Sequence, residues 1–323
     1  MRRRGIMGMN RRNIQYVGRY NDRRLFPLVD DKLRTKLLAQ EQGVTTPELI
    51  TTIRSQFEVK QAPERIGKEE GVVIKPAKGS GGKGLLVLER QEAGRHVKPN
   101  GAPVSGNDLQ RHLSNILSGL YSLGGAPDVA VIERMIAFYH GFADFTHEGV
   151  PDIRVVVFRG YPVMAMMRLP TAASDGKANL HQGAVGVGLD MASGRAIRGI
   201  QFGRPRGDHP DTGRTLADLK VPYWETLLRL AAGCYDFTGL GFLGVDLVLD
   251  RHHGPMLLEL NARPGLAIQV ANGQGLLAPL KRVEKLRAGV PARERAAHSR
   301  EHLGSGAASR PGPELERRPA LSE

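Results

Sequence analysis

Three oxygen-bearing side chains interrupt two otherwise apolar runs late in the chain, Gly244-Val245-Asp246-Leu247-Val248-Leu249-Asp250 and Pro255-Met256-Leu257-Leu258-Glu259-Leu260-Asn261. A polar turn, Arg251-His252-His253-Gly254, separates the runs, so they read as a β-hairpin. Glu259 and Asn261 are two residues apart and project from the same face of a strand. An antiparallel partner can bring Asp246 to that face. Ionised carboxylates are costly in an apolar interior unless they are paired or bind a cation. Two carboxylates and a carboxamide from adjacent strands suit a hard cation such as magnesium, which keeps coordination sites for phosphate oxygens. The plainer alternative is that these groups sit at strand ends and bond to loops.

A second motif lies earlier. The run Gly71-Val72-Val73-Ile74-Lys75-Pro76 reads as a strand ending in a lysine, followed by Ala77-Lys78-Gly79-Ser80-Gly81-Gly82-Lys83-Gly84 and a second strand, Leu85-Leu86-Val87-Leu88-Glu89. Gly79, Gly81 and Gly84 meet the GxGxxG spacing, but a dinucleotide fingerprint must open a helix, and a strand follows here. A Walker loop needs Ser or Thr after its lysine, and Lys83 is followed by Gly84. What remains is a glycine-rich hairpin whose bare backbone N–H groups can close over phosphates, with Lys75 beside it to neutralise charge. A mobile hairpin without a ligand is the alternative.

Arg154 and Arg168 stand near the ends of two further strands, Asp152–Phe158 and Tyr161–Arg168, where a guanidinium can grip phosphate or pair with a carboxylate. Glu133 closes the apolar run Val129-Ala130-Val131-Ile132. His181, in the loop Ala178–Ala184, is a candidate acid or base, although loop histidines are more often structural. Cys234 is the only cysteine, which excludes an intramolecular disulfide, and it sits on the apolar face of a helix as a packing residue.

The elements that must hold these groups are legible in outline. A helix begins at Asp30-Asp31, with Leu33, Leu37 and Leu38 on one face, Lys32 and Lys36 one turn apart, and Gly43 as its stop. Ser105 caps a helix running to about Leu123, with Leu109, Leu113, Ile116, Leu117 and Leu120 on its apolar face. Trp224, Leu227, Leu228, Ala231 and Tyr235 give another, and residues 268–283 hold a short one. Residues 137–148 show no clear element. Beyond Ala288 proline, glycine, serine and charge prevail, and disorder is expected over residues 288–323.

At 323 residues, 41% hydrophobic and 24% charged, the chain has the composition of a globular protein with a substantial core. No apolar run is long enough to span a bilayer and no secretory signal is apparent, so a cytoplasmic protein without membrane insertion is expected. The net charge of +13 is concentrated at the ends. Residues 1–24 carry eight arginines against Asp22, and ten basic residues face six acidic ones over residues 281–323, leaving residues 25–280 near neutral. Basic ends can attract nucleic acid, a ribosome or an acidic membrane, or serve as solvated tails. No aromatic-rich basic motif accompanies the charge, so nucleic-acid binding is not expected as the primary function.

In this order the motifs resemble the ATP-grasp superfamily, and more narrowly its RimK-related α-L-glutamate ligase-like proteins. The resemblance rests on Asp31–Lys36, Val73–Pro76 with its loop, Asp152-Ile153-Arg154, Asn179-Leu180-His181, and Gly244-Val245-Asp246 with Glu259–Leu266, and it covers residues 25–280. It implies an α+β fold of two subdomains gripping ATP, preceded by a much shortened N-terminal domain, and a division into a basic arm (1–24), an ATP-grasp domain (25–287) and a tail (288–323). It implies magnesium (or manganese) ligands at Asp246, Glu259 and Asn261. ATP contacts are implied at Lys36, Lys75, Glu133 and the flap residues Gly79, Ser80, Gly81 and Gly82, with Glu133 meeting adenine and ribose. Arg154, Arg168 and Asn179 are implied beside the reacting phosphate.

The implied reaction is ATP-dependent amide formation through an acyl-phosphate, joining glutamate or another amino acid to an amine, peptide or protein. Phosphoryl transfer of this kind needs charge neutralisation and positioning more than a protein nucleophile. The chain departs from the pattern in its longer Glu133-to-Arg154 interval, in Arg263 where serine is common, and in Lys177 near an arginine position, which leaves glutamate specificity open. A small-molecule kinase and a non-catalytic nucleotide-binding regulator are the alternatives.

Overall fold

A computed structural model describes residues 5–67, 69–79, 81–90, 96–122, 124–287 and 289–304. Its frame is two antiparallel sheets. The smaller has the order β1-β5-β2-β3-β4, from Leu49–Ile53 (β1), Gly71–Pro76 (β2), Leu86–Arg90 (β3), His96–Val97 (β4) and Ala130–Arg134 (β5). The larger has the order β10-β9-β8-β7-β6-β11-β12. It is built from Asp152–Phe158 (β6), Tyr161–Leu169 (β7), Val185–Leu189 (β8), Ala196–Gln201 (β9), Arg204–Arg206 (β10), Phe242–Asp250 (β11) and Gly254–Asn261 (β12). The expected α+β architecture is borne out.

Strands β6, β7 and β11 read as nearly unbroken apolar runs because both faces of the larger sheet are covered. On one face Leu243, Val245, Leu247 and Leu249 of β11 join Ile153, Val155 and Val157 of β6 beneath the helix Trp224–Thr238. On the other face Phe242, Val156, Phe158 and Met164 form a second core with residues of the N-terminal arm and of the helices Ala267–Asn272 and Leu277–Glu284. The smaller sheet packs Val72, Ile74, Ala130 and Ile132 against the helices Gln56–Ile66 and Gly106–Leu117. Alternation then sends Lys75 and Glu133 to its opposite face, toward the larger sheet.

Several local expectations change. The helix Lys32–Glu41 starts under the expected Asp31 cap and buries the expected Leu33, but it also buries Thr35, Lys36 and Ala39 while Leu37 is exposed. Its inner face is set by the burial of Lys36 as well as by Leu33. The helix after Ser105 ends at Leu117, and Leu120 is exposed beyond it. The helix Gln56–Ile66, with Pro63 inside it, was not legible as one, and residues 137–148 contain a 3-10 turn, His140–Phe145.

The tail is ordered further than expected: Ala292–His302 is a helix, and Arg295 is buried in it. The Arg295 guanidinium is bonded to both oxygens of Asp236 at 2.8 and 2.6 Å, and to the carbonyl of Gly160 at 3.1 Å. A side chain on Gly160, at φ +81° in the β6–β7 turn, would stand 2.6 Å from that guanidinium. Ala288 and residues 305–323 lie outside the described residues.

The arm is not a free tail over its described length. It forms a helical run through Met9–Arg11, a π-helical stretch Arg12–Val17, and Gly18–Tyr20. Tyr16 and Val17 enter the second core, and Arg12, itself buried, donates to the carbonyl of Pro264 at 2.9 Å. Asn21 is the arm's closest tie. Its carboxamide donates to the carbonyls of Phe242 (2.8 Å) and Ala262 (3.0 Å) and accepts from the Phe242 N–H (2.7 Å).

Replacing Asn21 by Ala leaves these buried backbone groups without partners. An unsatisfied buried group costs about 1–3 kcal/mol, so the variant is expected to lose about 2–4 kcal/mol of unfolding free energy in a urea titration. An unchanged midpoint would show that the arm docks without this clasp.

Candidate active site

The β11–β12 hairpin sets the floor of the site. Asp246 lies directly opposite Glu259, and Gly244 opposite Asn261. A bulge at the next step pairs Leu247 with Leu257 and leaves Leu258 over. This phase shift lets Leu257 and Leu260 both enter the core while Glu259 and Asn261 share the face of Asp246. The three predicted cation ligands are thus together, with the Asn261 carboxamide nitrogen 3.5 Å from an Asp246 oxygen.

Register also delivers the two arginines. Arg154 on β6 is the direct partner of Asp246, and Arg168 on β7 is the direct partner of Asp152. Arg154 donates to both oxygens of Asp246, at 2.6 and 2.5 Å. Arg168 donates to both oxygens of Asp152 at 2.5 Å and reaches Asp246 at 2.8 Å. Two cations and two anions therefore form a formally neutral quartet, its carboxylates buried and its guanidinium groups slightly exposed. Asp152 was not among the predicted site residues. Its signal was the Asp-x-Arg spacing, which puts both side chains on one face of a strand.

Burial works against ionisation of Asp246, but Arg154 and Arg168 outweigh it and hold its carboxyl below the ordinary range. Burial pushes Asp152 up to about 6; Arg168 opposes this and the charge of Asp246 adds to it. Arg168, though buried, is held above its ordinary value by Asp152 and Asp246.

A folded-state value above the unfolded one means that the native protein binds the extra proton between about pH 4 and 6. Stability from Asp152 is then present below that window and lost as pH rises through it. Asp246 acts oppositely, its contribution fading as pH falls below the ordinary carboxylate range. Asp152→Asn, which cannot ionise, is expected to flatten the decline in melting temperature between pH 4 and 6 relative to wild type; parallel curves would refute the assignment.

The smaller sheet supplies the opposite wall. Lys75 and Lys36 both pair with Glu133, at 2.7 and 2.9 Å. All three groups are buried, and Lys36 also donates to the carbonyl of Pro47. Burial lowers the Lys36 pKa, opposed by Glu133. Burial resists ionisation of Glu133, yet Lys75 and Lys36 keep its carboxyl below the usual range. The Glu133 side chain is therefore committed to the lysines, and a nucleotide contact through it would require those pairs to rearrange. Lys32 bridges the walls: its ammonium is 3.5 Å from Glu259 and donates to the carbonyl of Gly79. Lys36 was the expected helix lysine, and the fold brings Lys32 to the site as well. The cavity that these residues line with Thr35, Thr46, Leu257 and Leu258 holds about 10 Å³, room for about one water.

The glycine loop joins β2 to β3 as expected. Its base is tied by the Lys78 N–H to the carboxylate of Asp128, at 3.0 and 3.1 Å. Gly81, Gly82 and Gly84 have φ of +65°, +75° and +75°, a backbone that other residues rarely adopt. A Cβ on Gly82 would lie 3.9 Å from Lys177, so the flap reaches the loop before β8. Ser80 lies outside the described residues. That loop is laid against the sheet by Leu180, whose side chain covers Gly186, the partner of Arg168. Asn179 is not joined to the arginines: its side chain accepts from the His181 N–H at 3.0 Å, and His181 is exposed. Cys234 is buried, and burial raises its thiol pKa above the ordinary range, which fits a packing role.

A family model described as sugar-transfer associated ATP-grasp matches residues 11–285. The chain belongs to that family. The expected superfamily is borne out, and the match begins within the arm helix. No curated protein matches this ATP-grasp chain significantly. Among solved structures it is similar to the ATP-grasp ligase PsnB complexed with minimal precursor (12% identity, TM-score 0.44, covering 86% of this chain and 63% of that one). It is also similar to the D-cycloserine synthetase DcsG (15%, 0.47, 84% and 72%). A third is the Chryseobacterium gregarium RiPP-associated ATP-grasp ligase in complex with ADP and a leader and core peptide (12%, 0.46, 83% and 64%). The chain spans less than two thirds of the length of PsnB.

Removing the charge of Glu133 in this ATP-grasp chain strands two buried ammonium groups. Glu133→Gln is expected to cost about 3–5 kcal/mol in denaturant titrations. Adding Lys36→Met should recover part of that loss, a coupling readable in a double-mutant cycle. Additive losses would mean that Lys36 and Glu133 do not interact.

Proposed function

We propose that the chain is an ATP-dependent carboxylate–amine ligase that joins glutamate or another amino acid to an amine, peptide or protein through an acyl-phosphate. The observation that carries the reading is the meeting, across one cleft, of the Asp246–Glu259–Asn261 face with the Lys32, Lys36 and Lys75 ammonium groups, with Arg154 and Arg168 alongside. Membership of an ATP-grasp family supports ATP as the phosphoryl donor. A cytoplasmic location belongs to the same proposal, since the reaction consumes ATP.

Two facing carboxylates and a carboxamide form a hard oxygen donor set that fits magnesium or manganese, with Glu259 free of arginine and Asp246 shared with two guanidinium groups. When bound, such an ion would neutralise phosphate charge and polarise the transferring phosphoryl group. Lys75 and Lys36 would exchange part of their pairing with Glu133 for phosphate oxygens. The flap amides around Gly79, Gly81 and Gly82 would cover the phosphates and exclude water. Arg154 and Arg168 would orient the substrate carboxylate against the γ-phosphate, and Asn179 would join them only by giving up its bond to the His181 N–H. The amine then displaces phosphate from the acyl-phosphate to form the amide. Room for ATP, hundreds of cubic ångströms, requires the two sheets to separate from the closed arrangement.

The test is to resolve by mass the products of purified protein with ATP, magnesium and a panel of amino acids and peptides. A new amide together with ADP and phosphate is expected. A stable phosphorylated small molecule would instead make the chain a kinase, and tight ATP binding without turnover a regulator. Glu259→Gln is expected to lower turnover by about a hundredfold or more, with partial recovery at raised magnesium. Full activity in that variant would remove Glu259 from the metal site.

A further inference from the structure

The exposed side of the arm carries a combination that the proposed reaction does not use. Eleven large hydrophobic side chains are exposed among the described residues, and four of them, Ile6, Met9, Ile14 and Val270, lie on the arm and the adjoining helix Ala267–Asn272. Ile14 is 73% exposed and Met9 62%. The two elements are clasped together, because Gln269 accepts from the Met7 N–H at 2.8 Å and donates to its carbonyl at 3.0 Å. Val270 is therefore held next to the arm's first described residues.

The same surface is cationic. The arm runs beside the helix Leu277–Glu284, from the Gly5 carbonyl, which accepts from the Leu277 N–H, to the Tyr20 hydroxyl, which donates to Glu284. Arg11, Arg19, Arg23, Lys281 and Lys285 are exposed on these two segments, and none pairs with a carboxylate among the described residues. The carboxylates at hand are Asp22, paired with Arg24, and Glu284, occupied by Tyr20. By sequence, the first 24 residues hold eight of the chain's arginines and one acid.

We infer that this surface docks on an anionic lipid bilayer, seating Ile6, Met9, Ile14 and Val270 at the headgroup boundary while the cations meet lipid phosphates. A helix lying in the interface combines these two contributions, apolar burial and attraction to anionic lipid. Lipid is favoured over nucleic acid because the exposed groups are aliphatic: Tyr16 is buried and Tyr20 half-buried, so the arm offers no free ring on which a base could stack. The inner face of the arm is already committed to the protein through Arg12, Tyr16, Val17 and Asn21, so docking requires no unfolding. The carbonyl of Pro264, held by Arg12, follows closely on Glu259 and Asn261, so the lipid-facing arm braces the back of the hairpin.

The test is co-sedimentation of the full chain with vesicles of phosphatidylcholine alone, or of phosphatidylcholine mixed with phosphatidylglycerol, across a salt series, with duplex RNA as competitor. Binding to the anionic vesicles and not the neutral ones is expected, weakening with salt. Ile14→Asp should weaken it by about tenfold or more, with an unchanged melting temperature because the site is exposed. Ile14→Gln, which adds no charge, should weaken it less, and Arg11→Glu with Arg19→Glu should abolish the preference for phosphatidylglycerol. Equal binding to both vesicles, equal binding by Ile14→Asp, or displacement by stoichiometric RNA would overturn the inference.

Discussion

The Asp246 carboxylate is the point on which the larger sheet and the cleft both depend. It is an ionised group in the middle of β11, a strand buried along its whole length, and isolated there it would be strongly destabilising. Arg154 and Arg168 make it tolerable, and they do so because strand register places one opposite it and the other one strand further on. The arginines are cations in the same interior, so Asp152 is needed to complete the charge balance. Such a quartet contributes little net stability over an apolar packing of similar volume. Its consequence is a rigid row of charge facing the place where phosphate chemistry would occur.

The opposite wall repeats the device with the sign reversed. Glu133 alone would be costly on its strand, and Lys36 and Lys75 alone would be costly around it; together they are held by short contacts out of solvent. The result is a local excess of positive charge that an anionic ligand can take over. Lys32, between Glu259 and the flap carbonyl of Gly79, is the physical link between the walls. Positive φ at Gly81, Gly82 and Gly84 lets the flap reach Lys177 without a steric penalty. Arm, hairpin and tail are tied by comparable buried polar contacts, through Asn21, Arg12 and Arg295.

Much of the site was legible from residue type and alternation. Glu259 and Asn261 had to share a face if their segment was a strand, and Lys75 had to stand at the root of a flap that failed both the dinucleotide and the Walker patterns. What misled was apolar periodicity where a polar partner dominated. In the helix Lys32–Glu41 the leucine pattern pointed to Leu37, yet Lys36 is buried, because Glu133, far away in sequence, repays its desolvation. For the arm, charge without a clear period left its structure open, a solvated tail among the alternatives, and for Ala292–His302 the prevalence of proline, glycine, serine and charge pointed to disorder. Arg12 and Arg295 instead enter the protein by donating to backbone carbonyls and, for Arg295, to Asp236.

By itself the sequence determined the strands of the candidate site, the glycine flap and which side chains are proposed as cation ligands, because alternation and glycine spacing are local properties of the backbone. Only the tertiary structure decided which charges balance which. The pairing of Asp246 with Glu259 depends on a bulge at Leu258, and Asp152 and Lys32 join the site through strand register and the approach of two sheets. Charge compensation is a long-range constraint: its cost is felt at one residue, and its remedy lies wherever folding brings an opposite charge within hydrogen-bonding distance.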